Sequence, residues 1–186
     1  MRDLPPLLFF TDPARTPEPW ATAERLPAGA GVVYRHFGAG NAEAVAWRLR
    51  EITSARGVRL LIGLDAALAI KVEADGVHLP ERAMAEAAAL RAAHPAWLLT
   101  GALHHPARSN LSVQALDALV LSPIFPAGGG SAVKTALGAD ALAVAKRVTG
   151  QPIYALGGIT PGTVAALEGS GACGIASVDA IRQAFA

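Results

Sequence analysis

Residues 152–161, PIYALGGITP, hold the pattern that decides the fold of this chain: an apolar run, two glycines and the start of a helix. The apolar run 152–156 lacks polar alternation, as expected for a parallel strand that is buried on both faces. Thr160 and Pro161 suit the N-cap and the first turn of a helix. The stretch therefore predicts a strand, a tight turn and a helix in succession.

The same unit recurs along the chain. Eight apolar runs are predicted as strands: 7–11, 31–34, 59–62, 76–79, 97–101, 118–121, 152–156 and 174–177. Helical patterns lie between them and are clearest at 41–55, 81–93, 139–148 and 161–168. About eight alternations of strand and helix indicate a (β/α)₈ barrel or a doubly wound sheet. Length does not decide between them, since 186 residues fall below the size of about 250 that is typical of a barrel.

Polar residues and glycines at the ends of the predicted strands favour the barrel. They are Asp12, Arg35, His36, Asp65, His104, His105, Ser122, Gly157 and Gly158. Only a closed ring brings all eight C-terminal strand ends to one place, where barrels assemble their sites. We therefore predict a single α/β domain over residues 1–186, a compact (β/α)₈ TIM barrel. It should be trimmed near the first helix, because the segment 19–25 is short and flanked by proline.

Composition narrows the class of protein. The chain has 16 basic and 15 acidic residues, a net charge of +1 and no basic cluster, which argues against nucleic-acid and anionic-membrane partners. Cys173 is the only cysteine, which excludes an intramolecular disulfide and a cysteine-rich metal cluster. No signal peptide and no run of about 20 apolar residues is present, so we expect a cytoplasmic protein. The sequence leaves a homodimer open.

Seven motifs follow one another in a recognisable order: LLFFTDP, VVYRH, LIGLDAALAIKVEADGVHLP, TGALHH, LVLSPIFPAGG, YALGGITP and GACGIASVDAI. Over nearly the whole chain they resemble the thiamine phosphate synthase and TenI family. The resemblance implies a (β/α)₈ barrel in thiamine biosynthesis. It also implies one of two reactions. Synthases couple a pyrimidine diphosphate to a phosphorylated thiazole with the help of Mg²⁺, whereas TenI-like relatives isomerise the phosphorylated thiazole carboxylate.

The departures from the family favour the second reaction. Where synthases carry glutamine, arginine, glutamate and lysine after the second strand, only Arg35 is kept. Asp65 is half of an Asn-Asp pair, and the second metal-binding aspartate has no counterpart in 80–84. Release of pyrophosphate needs Mg²⁺ that is bound by carboxylates, together with cationic side chains, and many of these residues are missing.

Three functions follow from this comparison. The main expectation is a TenI-like enzyme that acts on a small phosphorylated substrate by proton transfer, without a cofactor. The first alternative is a divergent synthase, with Mg²⁺ on Asp65 and with Glu81 and Lys134 as replacement ligands. The second is a non-catalytic protein that binds a phosphorylated ligand. Asp65 has a competing role as the N-cap of a helix from residue 66 to 71.

A phosphate site is expected where the seventh and eighth strands end. Gly157 and Gly158 leave their backbone N–H groups open to an anion, although two glycines also permit a tight turn without a ligand. Ser177 and Val178 would complete the site. Asp179 lies where the family has a serine, and its carboxylate would repel phosphate.

The predicted catalytic residues are His105, His104 and Arg35. TenI-like enzymes use a histidine in this region, and an imidazole can take a proton from carbon and return it elsewhere. Spacing from Gly101 favours His105, whereas spacing from the preceding hydrophobic residue favours His104. Arg35 would bind a carboxylate or a phosphate through two hydrogen bonds, or it would only form a surface ion pair.

Other polar residues complete the predicted site. We expect Tyr34, His36, Ser122 and Lys134 to bind substrate, and His78, inside an apolar run, to be structural. The segment 127–132, AGGGSA, is either a loop that closes over substrate or a plain surface loop.

Overall fold

The computed structural model describes residues 3–108, 112–128 and 133–186. Eight parallel strands pair in chain order, and the last returns to the first, so that the sheet closes into a barrel. The strands are β1 (Leu7–Phe10), β2 (Gly31–Tyr34), β3 (Arg59–Gly63), β4 (Gly76–Leu79), β5 (Leu98–Leu103), β6 (Ala118–Leu121), β7 (Ile153–Leu156) and β8 (Gly174–Ser177). The predicted TIM barrel is confirmed, and the doubly wound sheet is excluded.

Helices surround the barrel. They are α1 (Pro19–Ala23), α2 (Ala42–Arg56), α3 (Ala66–Lys71), α4 (Ala87–Ala93), α5 (Asp140–Thr149) and α6 (Asp179–Ala184). Short 3₁₀ helices occupy Glu81–Glu86 and Val164–Leu167. Among the described residues, no helix combines the length and the hydropathy needed to cross a bilayer.

The barrel is trimmed in three places. Helix α1 has only 5 residues, as predicted. The described residues between β5 and β6 contain no helix, which the sequence did not indicate. The predicted helix 161–168 is wrong, since only a 3₁₀ turn forms there. The hydroxyl of Thr163 explains the difference, because it accepts the N–H of Thr160 and donates to the carbonyl of Gly158, which holds a compact turn instead of a helix start.

The inside of the barrel is a packed core. Its buried side chains are Leu8, Phe10, Val33, Leu61, Leu98, Ala118, Val120, Tyr154, Ala176 and Val178. At the N-terminal end of the strands the hydroxyl of Tyr154 donates to the carbonyl oxygen of Pro5 at 2.7 Å. Because side chains fill the interior, a ligand can bind only at the C-terminal ends of the strands, as in other barrels of this kind.

Candidate active site

A cavity of about 810 Å³ opens at the C-terminal ends of the strands. Its polar and charged lining comes from strand β4 and from segments that follow the six successive strands β1 to β6. These side chains are Asp12, Arg15, Arg35, His36, Asp65, His78, Arg82, His104, Ser122 and Lys134. Among the predicted site residues, His104, Arg35, His36, Ser122, Lys134 and Asp65 are thus brought together.

A smaller cavity of about 260 Å³ adjoins the larger one. Arg15, Arg35, Ser122 and Leu156 line both, so the two spaces meet at these residues. The predicted phosphate residues Gly157, Gly158, Ser177 and Val178 all line the smaller cavity, together with Asp179. The arrangement offers a wide chamber and a side chamber that is rich in backbone groups.

The ring of His104 lies on the wall of the larger cavity. Its Nδ1 is 3.1 Å from the carbonyl oxygen of Ser122. A carbonyl oxygen only accepts, so Nδ1 carries the hydrogen and the lone pair of the neutral ring is on Nε2. No described residue forms a hydrogen bond with Nε2. This tautomer is the one that a base needs.

His105 occupies a different environment. Its side chain is exposed and lines neither cavity. Strand β5 continues to Leu103, two residues beyond the predicted end at 101, and alternate residues of a strand point to opposite faces. Ala102 and His104 both line the larger cavity, while Leu103 packs in the outer core. Only one of the two histidines therefore faces the cavity.

His78 is buried at the floor of the same cavity. Its Nδ1 lies 2.9 Å from the hydroxyl oxygen of Thr100, and its ring packs edge-on against Phe10. Burial, with smaller contributions from the charges of Arg35 and His104, lowers the pKa of His78 to about 3. Among the described residues no other acceptor is found for the hydroxyl of Thr100, so the hydroxyl donates to Nδ1 and Nε2 carries the hydrogen. The sequence indicated a structural role and missed this neutral donor at the floor.

The depressed pKa of His78 predicts acid sensitivity. Below pH 6.5 the unfolded state binds a proton that the folded state refuses, so the free energy of unfolding should fall between about pH 6.5 and 3. The slope should approach ~1.4 kcal/mol per pH unit. Urea denaturation of the His78→Gln protein at several pH values should show a flatter acid limb. His105→Gln, at an exposed ring, should keep the slope, and an unchanged slope in His78→Gln would contradict the assignment.

Arg35 is held at the junction of the two cavities. Its Nε donates to the carbonyl oxygen of Thr11 at 2.8 Å, and its guanidinium lies 5.2 Å from the ring centroid of Phe10 and 5.4 Å from that of Phe37. Burial is the main cause that lowers the pKa of Arg35, to about 10, so it stays charged at neutral pH. A cation in this position attracts an anionic ligand to either chamber.

The two glycines after β7 are required by close packing, and their backbone N–H groups are unused hydrogen-bond donors. A Cβ on Gly157 would lie 2.8 Å from Cβ of Pro123, and one on Gly158 would lie 2.3 Å from the carbonyl oxygen of Pro126. Close packing against the loop after β6 therefore requires glycine. Within the described part of the chain, the N–H groups of Gly157, Gly158 and Val178 have no hydrogen-bond acceptor. These donors suit an anion in the smaller cavity.

Asp65 does not offer a free carboxylate to Mg²⁺. Its Oδ1 accepts the N–H of Leu68 at 2.8 Å, which caps α3, and its Oδ2 lies 3.4 Å from Nε2 of His36. The N–H of Gly38 donates to Nδ1 of His36, so Nε2 carries the hydrogen that faces Asp65. Glu81 binds the backbone N–H of His104 and the guanidinium of Arg108. Both carboxylates are therefore already paired, and no group of three metal-ligating side chains forms among the described residues.

The capping role of Asp65 is testable. Asp65→Ala should lower the free energy of unfolding by about 1 kcal/mol, because the N–H of Leu68 loses its acceptor. Asp65→Asn removes the charge but keeps a capping oxygen, and it should retain most of the stability in chemical denaturation. Equal losses in the two variants would show that the pair with His36, rather than the cap, stabilises this end of α3.

The remaining predicted residues divide between wall and core. Tyr34 is buried in the outer core beside the ring of His36 and lines neither cavity. Burial raises the pKa of Tyr34 to about 12, so its hydroxyl stays protonated. Lys134 is exposed at the mouth of the larger cavity. Of the segment 127–132, residues 129–132 lie outside the described residues.

Two arginines on the wall were not predicted. Arg82 stands in a 3₁₀ helix, and Arg15 follows β1 within the segment TDPAR. Neither matches a motif of the family resemblance. Arg15 could have been identified only from its position shortly after a predicted strand, the same criterion that identified Asp12.

Comparison with known proteins agrees with this architecture. The family model described as thiamine monophosphate synthase matches residues 8–181. A protein of Geobacter sulfurreducens is 31% identical over 134 residues, which are 72% of this chain and 63% of that one. The thiamine-phosphate synthase of Methanoculleus marisnigri is 30% identical over 72% of this chain and 64% of its own length. The matches therefore span less than two thirds of these relatives.

Another relative and a solved structure extend the match. The thiamine-phosphate synthase of Chloroflexus aurantiacus is 33% identical over 168 residues, 86% of this chain and 75% of its own. A thiamine phosphate pyrophosphorylase from Pyrococcus furiosus superposes with a TM-score of 0.81 and 20% identity, over 98% of this chain and 93% of that one. This structural likeness supports the barrel fold. The chain belongs to the thiamine monophosphate synthase and TenI family of enzymes involved in thiamine biosynthesis.

Proposed function

We propose that the chain isomerises a phosphorylated thiazole by proton transfer at carbon, with His104 as the base. The observation that carries the proposal is the His104 ring, whose Nδ1–H is held by the carbonyl oxygen of Ser122. That bond leaves the Nε2 lone pair on the cavity wall. It also stabilises the imidazolium that forms when a proton is taken up, because the carbonyl still accepts from Nδ1.

The two chambers suit the two parts of such a ligand. The phosphate would lie in the smaller cavity on the N–H groups of Gly157, Gly158 and Val178. The thiazole ring would then extend past Arg35 into the larger cavity, above the neutral His78. Proton removal leaves negative charge on the ring, and the buried guanidinium of Arg35 would balance that charge.

No proton is lost in the proposed cycle. Nε2 of His104 takes a proton from one atom of the ligand, that proton exchanges with solvent on the imidazolium, and the same nitrogen returns a proton to another atom of the ligand. The product differs from the substrate only in the position of one proton. The reaction calls on neither a metal nor a leaving group, which agrees with the engagement of both carboxylate oxygens of Asp65.

Turnover in deuterated water tests this proposal. The phosphorylated thiazole carboxylate tautomer should be converted with deuterium entering the product at the position that receives the proton, and a chelator such as EDTA should leave the rate unchanged. Binding of the substrate without conversion or exchange would contradict the proposal and would identify a non-catalytic ligand-binding protein.

A synthase activity is the second candidate, and the names of the relatives favour it. Arg35, Asp65 and Lys134 all line the larger cavity, where a pyrimidine diphosphate would have to sit. The discriminating assay mixes pyrimidine diphosphate with thiazole phosphate, with and without Mg²⁺. Pyrophosphate release that requires Mg²⁺ would replace the isomerase proposal with the synthase.

A further inference from the structure

Two guanidinium groups flank the smaller cavity. Among its described lining residues, Arg15 and Arg35 are the cationic side chains, and Asp179 is the acidic one. Both arginines also line the larger cavity, so they stand where the chambers meet. Arg35 is already anchored to Thr11 and to two aromatic rings.

Arg15 is held by two carboxylates from opposite ends of the chain. Its Nη1 donates to Oδ2 of Asp179 at 2.8 Å, and its Nη2 lies 3.6 Å from Oδ2 of Asp12. Its Nε is buried without a hydrogen-bond partner in the described part of the protein. The guanidinium therefore retains a donor that its present partners do not use.

The two carboxylates differ in how firmly they are held. Oδ1 of Asp12 accepts the backbone N–H groups of Ala14 and Arg15, which ties it into the turn after β1. Asp179 makes no hydrogen bond from its side chain to any described residue other than Arg15, and its side chain is 45% exposed. Asp179 can therefore turn towards solvent while Asp12 stays in place.

We propose that Arg15 is the side-chain ligand of the phosphate group and that Asp179 occupies it when no phosphate is bound. The incoming phosphate displaces the Asp179 carboxylate from the Arg15 guanidinium. The N–H groups of Gly157 and Gly158 then bind the other oxygens of the phosphate. A phosphate dianion binds a guanidinium through two oxygens and carries more charge than a carboxylate, so it prevails in this exchange. The inference rests on the proposed phosphate site. It adds Arg15 as a ligand and a preference for ligands of high negative charge.

The exchange makes the site selective for charge. A ligand must supply enough negative charge to displace Asp179, so a phosphorylated thiazole is accepted and its unphosphorylated alcohol is not. The charge of Arg15 also contributes, after the larger effect of burial, to the lowered pKa of Arg35. Two cations this close to each other gain from an anion between them.

Titration of the folded protein with inorganic phosphate tests the inference, with the amide NMR signals of Gly157 and Gly158 as the readout. Asp179→Asn should bind phosphate about tenfold more tightly than the wild type, because no carboxylate at position 179 then competes for Arg15. Arg15→Met combined with Asp179→Asn should bind about tenfold more weakly than Asp179→Asn alone. Thermal melting of each variant checks that it is folded.

An exposed ion pair remote from both cavities provides matched controls. Lys71 and Glu43 pair at 2.6 Å, and neither lines a cavity. Lys71→Met and Glu43→Gln change the net charge by the same amounts and should leave phosphate affinity unchanged. The inference is overturned if Arg15→Met has no effect in the Asp179→Asn background, or if Asp179→Asn does not tighten binding beyond Glu43→Gln.

The same titration separates this inference from the proposed function. Shifts at Gly157 and Gly158 in the wild type without any effect of Arg15 would remove only the role of Arg15. Absence of those shifts in every variant would remove the phosphate site itself. The isomerase proposal is judged independently by deuterium exchange on the thiazole.

Discussion

His104→Gln is expected to lower the turnover of the phosphorylated thiazole by about 10²–10⁴-fold, the usual contribution of a positioned acid or base. The amide keeps a hydrogen-bonding group beside the carbonyl oxygen of Ser122 but has no nitrogen that takes up a proton. Substrate affinity should change much less, because the proposed phosphate site lies in the other chamber. The kinetic measurement is kcat and KM for isomerisation, with deuterium exchange measured in parallel.

His105→Gln is the matched control for this experiment. The neighbouring imidazole is exposed and lines neither cavity, so its loss should leave kcat within about twofold. A rate that falls with His105→Gln and survives His104→Gln would contradict the assignment of the base. Rates that survive both replacements would remove His104 and His105 from the mechanism.

Gly158→Ala is expected to lower the free energy of unfolding by roughly 2–4 kcal/mol and to abolish phosphate binding. The added Cβ would lie 2.3 Å from the carbonyl oxygen of Pro126 and 2.7 Å from the carbonyl carbon of Phe125, and φ of Gly158 is +65°. Both contacts are with backbone, so the loop after β6 has to move as a whole. The movement displaces the N–H groups that face the smaller cavity. Chemical denaturation and phosphate titration measure the two effects.

Gly162→Ala is the control for the effect of adding a methyl group in the same connection. Its nearest atom to an added Cβ is Oγ1 of Thr160 at 3.7 Å, which is ordinary contact. This variant should stay within about 0.5 kcal/mol of the wild type and should bind phosphate normally. A Gly158→Ala protein as stable as Gly162→Ala would show that the two loops are not packed as described.

The elements that the sequence predicted best are the buried strands. Residues 31–34, 76–79, 118–121 and 174–177 match their observed bounds, because a short and mainly apolar run between turn signals is typical of a parallel strand. Gly150 ends α5 in a left-handed conformation, the usual role of a glycine just after a helix. The predicted helix 161–168 failed because a side-chain hydroxyl, that of Thr163, competes for the backbone groups of the turn.

The candidate site shows a similar division. Strand-end position located Arg35, Asp65, His104 and Ser122 on one cavity wall. It did not identify His78, since an apolar neighbourhood in sequence does not reveal that a ring reaches the floor of a cavity. It also missed Arg15, whose partner Asp179 lies 164 residues away.

The sequence alone determined the alternation of strand and helix, the closed barrel inferred from the polar residues and glycines at the strand ends, and the family resemblance. Local periodicity and the order of the motifs specify these features. The tertiary structure alone decided which histidine after β5 faces the cavity, since that depends on how far the strand extends before its side chains stop alternating. It also decided that Asp65 caps a helix beside His36 and that Asp179 pairs with Arg15. Closure of the ring creates the contact between Arg15 and Asp179, because it brings the turn after β1 against the end of β8.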